Sequence, residues 1–152
     1  MVRIVNTTET RKRNQKLVLD YVRYHGPLSS ADIARALNVP AGTIARVTAS
    51  LNDLGLLVNV KSKKIKGVGK PPVMLDLNKD FALIAGVELN ELSTKVIITD
   101  FKGKIVSKQV ARTAEIEKQL QGKLPELIYS AIKSGNKSLE LLKGVGIGVS
   151  GI

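Results

Sequence analysis

Cysteine is absent from the 152-residue chain, and histidine occurs once, as His25. The first absence excludes disulfides and thiolate metal sites, although many cytosolic proteins lack cysteine and the redox compartment stays open. The second leaves His25, beside Gly26-Pro27 at a helix end, without the neighbours a metal ligand needs. A helix-terminal or surface role is expected for it. No apolar run approaches the ~18 residues that cross a bilayer. The opening stretch "MVRIVNTTETRKRNQK" is polar and basic and lacks the apolar core of a signal peptide. A cytoplasmic protein with no membrane partner is expected. The hydrophobic fraction of 43% is ordinary, and the length suits one ordinary domain or two small ones.

What the chain has in excess is positive charge. The formal net charge is +11 and the pI is near 10.0, which points to a polyanionic partner. The excess is uneven. Up to Asp80 there are 14 Lys/Arg against 6 Asp/Glu, and from Phe81 onward 10 against 7.

The first half reads as helical. "RNQKLVLDYVRYHG" sets Leu17, Val18, Tyr21 and Val22 on one face, and Gly26-Pro27 ends the helix. "SSADIARALN" opens with Ser29 and, three residues on, Asp32, a capping-box pattern, with Ile33, Ala34 and Leu37 as its buried stripe. After the turn "NVP", "AGTIARVTASLNDLG" spaces Ile44, Val47, Leu51 and Leu54 at helical intervals, with Val39 and Ile44 placed as a hydrophobic staple and Gly55 as the stop. Two short helices joined by a tight turn make a helix-turn-helix. "LLVNV", the basic loop "KSKKIKGVGKPP" and "VMLDL" then add a two-stranded wing.

From about Asn78 the pattern changes. "ALIAGVEL", "STKVIITDF" and "KIVSKQVA" read as strands, with "FKGK" as a hairpin turn. "EIEKQLQGKLPELIYSAIKSG" reads as helical, with Pro125 expected to break it or to restart it in a first turn. "KGVGIGVSGI" reads as a fourth strand, making an α/β unit.

In a helix-turn-helix the recognition helix presents its N-terminal side chains to the major groove. Here these are Ala41, Gly42, Thr43 and Arg46, on the face opposite Ile44 and Val47. Arg46 is suited to a bidentate contact with guanine, the alternative being a solvated surface arginine. Thr43 suits a thymine methyl or a phosphate. Ser30 joins this expected DNA-contacting set. In the wing, Lys61, Lys63, Lys64, Lys66 and Lys70 have no acid among them, as phosphate neutralisation or a narrow minor groove would require. Arg11, Lys12, Arg13 and Lys16, before and at the start of the first helix, are expected to add backbone contacts that position without reading sequence.

Gly146-Ile147-Gly148-Val149-Ser150-Gly151 matches G-x-G-x-x-G. A dinucleotide turn of that form needs a following helix and an acid ~20 residues on, and neither follows here. A core strand end, with glycines for close packing, is expected instead.

Together these stretches resemble the ROK (repressor, open reading frame, kinase) family, in particular its sugar-responsive transcriptional repressors. "GPLSSADIARALNVPAGTIARVTASLNDLGLL" resembles the family's DNA-binding module, with its Leu-x-x-x-Gly-Leu ending at Leu51, Gly55 and Leu56. "GKPPVMLDLN" resembles the Gly-Arg-Pro-Pro segment, with Lys70 in the arginine's place. "IAGVELNELSTKVIITDFKGKIV" and "GVGIGVSGI" resemble the opening hairpins and next core strand of the actin-like sugar-kinase domain. The family's kinases carry an Asp-x-Gly-Gly-Thr-like phosphate loop after the first strand. Here that stretch is Glu88 to Thr94, without glycine and with Glu88 and Glu91 where phosphates would sit. The family's catalytic aspartate, sugar-binding His/Glu residues and cysteine-rich zinc motif would lie beyond Ile152, so the chain looks like a repressor cut short within one lobe.

The expected fold is therefore α+β. A winged helix-turn-helix over 1–77 is followed by a partial actin-like, ribonuclease-H-like α/β lobe over 78–152. The resemblance implies a DNA-binding transcriptional regulator, a repressor of sugar-metabolism genes, with no catalytic residues, cofactor or metal. Its expected partners are double-stranded operator DNA and a second copy of the chain, with a sugar or sugar-phosphate effector whose pocket lies mostly beyond this stretch. A sugar kinase and a self-associating interaction module are the alternatives.

Overall fold

The computed structural model describes residues 7–61, 72–117 and 120–150. They form two compact units, Met1–Asn78 and Lys79–Ile152.

The first unit has three helices, α1 (Thr7–His25), α2 (Ser30–Leu37) and α3 (Ala41–Asp53), and three short strands, β1 (Leu28–Ser29), β2 (Leu57–Val60) and β3 (Met74–Leu77). The strands make an antiparallel sheet in the order β1-β3-β2. α1 begins at Thr7, earlier than the apolar pattern indicated, so Arg11, Lys12 and Arg13 lie inside the helix rather than before it. Polar residues carry no amphipathic signal, which is why the start was misplaced. Of the expected α1 stripe, Val18 and Val22 are fully buried, whereas Leu17 is 43% exposed.

Local chemistry sets the helix ends. Ser29 caps α2, its Oγ accepting from the Asp32 backbone N–H (3.1 Å) and donating to the Asp32 carboxylate (2.6 Å). That hydroxyl, then the Ser29 backbone N–H and Arg35, hold the Asp32 carboxyl below its ordinary 3.8 against a push upward from burial. α2 stops at Asn38 in the left-handed region, and the Val39 N–H returns to the Ala34 carbonyl (3.1 Å). α3 stops in the same way at Gly55 (φ 73°). There the Leu56 N–H reaches the Leu51 carbonyl (2.9 Å) and the Gly55 N–H reaches that of Asn52 (2.8 Å). Ile33, Ile44, Val47, Leu51, Leu57 and Leu75 complete the core with Val18 and Val22.

The second unit holds β4 (Leu83–Leu89), β5 (Ser93–Asp100), β6 (Ile105–Arg112), α4 (Thr113–Glu117), α5 (Leu120–Ser134) and β7 (Leu142–Val149), the last preceded by a 3₁₀ turn at Leu139–Leu141. The sheet order is β6-β5-β4-β7, with β7 parallel to β4 and the other pairs antiparallel. Gly103 (φ 83°) makes the expected hairpin turn, and Asp100 Oδ1 accepts the N–H groups of Lys102 and Lys104 (both 2.9 Å). Leu83, Ala85 and Val87 of β4 and Val96 and Ile98 of β5 pack with Ile116 of α4 and with Leu124, Ile128 and Ile132 of α5.

Two expectations fail here. Pro125 neither breaks the helix nor begins a new one; it sits inside α5, six residues from its start. A proline there forgoes one backbone bond, and burial of Leu124, Ile128 and Ile132 on the sheet outweighs that loss. The glycine-rich run is a strand, as expected, but not a core strand. Its residues are largely exposed, and β7 lies at the end of the strand order. A Cβ at Gly146 would meet nothing within 4 Å, and at Gly148 only the Val87 carbonyl at 3.9 Å, so close packing does not demand these glycines.

Candidate nucleic-acid interface

The sequence of α3 divides it into two faces. Ile44, Val47, Thr48 and Leu51 are buried, while Ala41, Gly42, Ala45 and Arg46 are exposed. No acid lies in its first turn. A helix N-terminus carries partial positive charge, so this end suits an anionic partner electrostatically. Gly42 leaves open space, since a Cβ there would meet nothing within 4 Å. The Arg46 Nε donates to the Gly42 carbonyl (3.3 Å), which lays the guanidinium back along the first turn.

Thr43 and Arg46 do not simply face outward. With Val47 they line a cleft whose opposite wall is Thr10, Arg11, Asn14 and Gln15 of α1. Ser50 ties the walls together, its hydroxyl accepting from Arg11 Nη2 (3.0 Å) and from Gln15 Nε2 (3.2 Å). α1 therefore distributes its basic residues unequally. Arg11 meets α3, whereas Arg13, two residues on and about 200° round the helix, points away. Lys12 and Lys16 lie about 100° and 140° from Arg11.

Ser30 is half-buried, with its hydroxyl 3.4 Å from that of Thr48. That contact uses it in the packing of α2 on α3 rather than presenting it at the surface. Thr48 donates to the Ile44 and Ala45 carbonyls (3.0 and 3.1 Å), so the pair stitches the turn between the helices. Sequence reasoning missed Asn14, Gln15 and Ser50. Their only sequence signal is polar character beside the apolar stripes of α1 and α3, which many solvent-facing residues share. Of the wing lysines, Lys61 is exposed at the end of β2, and Lys63, Lys64, Lys66 and Lys70 lie outside the described residues. His25 stacks near Tyr21, with ring centroids 4.4 Å apart at the end of α1. Among the described residues no group of three or more His, Cys, Asp or Glu is placed to hold a metal.

In the second unit, the hairpin at the position of the family's kinase phosphate loop is closed by its own side chains. Asn90 Oδ1 accepts from the Leu92 and Ser93 N–H groups (3.1 and 2.8 Å). Thr113 Oγ1 donates to the Asn90 carbonyl (2.6 Å) and lies 3.3 Å from the buried Thr94 hydroxyl. Glu88 is paired with Lys95 (2.6 Å), and that contact with Lys95 keeps its carboxyl below 4.5.

A three-helix unit whose second and third helices flank a tight turn, followed by a two-stranded wing, is a winged helix-turn-helix. Residues 11–64 match the family model described as MarR family, which contains this module. Over 149 residues the chain is 29% identical to a xylose repressor of Caldicellulosiruptor bescii, covering 97% of this chain and 37% of that one. It is 28% identical over 153 residues to a xylose repressor of Bacillus subtilis, covering 98% and 39%. A crystal structure of a ROK family transcriptional regulator, a homologue of the Escherichia coli Mlc protein, superposes with a TM-score of 0.65 at 17% identity. The superposition covers 93% of this chain and 36% of that one. The resemblance to ROK repressors read from the sequence therefore holds: a MarR-type winged helix leads into a sheet unit, in the fold of a ROK regulator. The chain spans under two-fifths of the length of these curated relatives. Among the described residues no helix is long and apolar enough to cross a membrane.

Proposed function

We propose that this chain is the DNA-reading part of a sugar-responsive transcriptional repressor, without enzymatic activity of its own. The observation that carries this reading is the acid-free first turn of α3, flanked by Arg46 and by Arg11 from α1. In this reading α3 enters the major groove, where Arg46 reads a guanine and Ala41, Gly42 and Thr43 allow close approach. Lys61 and the other wing lysines neutralise phosphates of the same duplex. The operator is a two-fold site bound by two copies of the chain. The names of the curated relatives make a sugar such as xylose the effector class. Its pocket belongs to a longer protein, given the share of those relatives matched here. The sugar-kinase alternative loses ground at the hairpin after β4, where Asn90 occupies the backbone N–H groups that a phosphate would need.

The test is selection of bound sequences from randomised duplex DNA at near-physiological salt. Convergence on an inverted repeat is expected, with half-site spacing that reports the dimer geometry. Binding without sequence enrichment that vanishes as salt rises would overturn the reading.

A further inference from the structure

The cleft between α1 and α3 has a chemistry of its own. Its polar lining is Thr10, Arg11, Asn14, Gln15, Thr43 and Arg46, with no carboxylate. The acids of α1 lie elsewhere: Glu9 and Asp20 are each about 160–180° round the helix from Arg11. Arg11 is exposed but tethered, with one of its five N–H donors given to Ser50 Oγ at 3.0 Å. Gln15 donates to the same oxygen at 3.2 Å and so fills its second acceptor position. A guanidinium held in this way has already lost much of its rotamer freedom and keeps its remaining donors for an anion. Arg46 enters from the opposite wall, itself oriented by the Gly42 carbonyl.

We propose that this cleft seats one backbone phosphate of the bound duplex, with Arg11 as its cation and Ser50 as the residue that positions Arg11. The proposal rests on the DNA-reading function above and adds a specific division of labour. Arg46 discriminates between bases, whereas Arg11 contributes affinity alike on every sequence. It also separates the cations of α1, because Arg13 faces away from the cleft and makes no such contact.

The experiment measures duplex affinity against salt for the full chain and for Arg11→Ala, Ser50→Ala, the double variant and Arg13→Ala. Loss of one phosphate contact is expected to reduce the slope of log K against log salt by about 0.9. Between 50 and 200 mM salt the affinity of Arg11→Ala should therefore fall about threefold less than that of the unaltered chain. Its order of preference among duplexes should not change. Ser50→Ala is expected to weaken binding in the unaltered background and to add nothing once Arg11 is alanine, a non-additivity that a purely structural role would not produce. A duplex with one uncharged methylphosphonate per half-site should bind the unaltered chain less tightly and Arg11→Ala no differently. Thermal midpoints of the variants report folding separately.

An unchanged slope for Arg11→Ala, an equal loss for Arg13→Ala, or additive effects of Arg11 and Ser50 would each overturn the proposal while leaving DNA reading in place. Failure of the unaltered chain to select any duplex would overturn both.

Discussion

In the winged-helix unit the elements close over Val18, Ile33, Ile44 and Leu51, and the first turn of α3 presents small and cationic residues outward. The sheet unit is finished on only part of its surface. Ile98 on β5 is fully buried beneath its helices, yet Val145, Ile147 and Val149 on β7 are 45%, 55% and 74% exposed. By register these three stand on the same face as Ala85, Val87 and Leu89 of β4. An α-helix covers only the strands it lies over, so one apolar face can be core at its centre and surface at its margin. The first unit ends in chemistry suited to a polyanion; the margin of the second ends in apolar side chains.

The sharpest way to break this comparison is to treat the two sheet isoleucines alike. Ile98→Ala is expected to destabilise the sheet unit by about 2–5 kcal/mol, through lost burial and a residual cavity. Ile147→Ala should cost less than about 1 kcal/mol, since over half of that side chain is already in water. Urea unfolding of the two variants measures the difference, and equal losses would remove the distinction between centre and margin.

Next in size, Arg46→Ala is expected to cost about 1–3 kcal/mol of discrimination at one base position. Competition between the selected duplex and single-base variants measures it. A uniform loss on every duplex would place Arg46 with the phosphate contacts instead.

Ser29→Ala should cost about 1 kcal/mol in the winged-helix unit, because the Asp32 N–H and carboxylate both lose their partner. Chemical unfolding followed by helical circular dichroism reads this change.

The smallest effect is electrostatic. Asp80 is paired first with Lys137 (2.8 Å) and then with Lys79 (2.6 Å), and these contacts draw its carboxyl from 3.8 down to about 2. A folded-state value below the unfolded one means that the stabilisation is present above 3.8 and is lost as pH falls toward about 2. Asp80 is exposed, so solvent screens the pairs. The melting temperature of Asp80→Asn should lie slightly below that of the unaltered chain at neutral pH and meet it near pH 2. A gap that persists in acid would assign the effect to something other than this charge.

Much of the fold is legible in the residues because it is local. The Schellman ends at Asn38 and Gly55, the cap at Ser29 and the turn at Gly103 each depend on a few consecutive residues. The alternation of β4 and β5 likewise announces strands with one buried face. Part of the candidate site follows in the same way, since the turn before Ala41 already identifies which end of α3 carries Thr43 and Arg46. Other features escape. Pro125 reads as a helix break by its intrinsic preference, and packing against the sheet overrides that preference.

The sequence by itself determined the order of elements, the winged helix-turn-helix, the concentration of positive charge in the first half, and the absence of a glycine phosphate loop after β4. These follow from periodicity, turn chemistry and charge, which act between near neighbours. Only the tertiary structure decided that Arg11 and not Arg13 faces the recognition helix, that Ser50 holds it there, and that the glycine-rich strand lies at the sheet's margin. Those outcomes depend on which face of an element meets another element distant in sequence, and burial is a property of both partners.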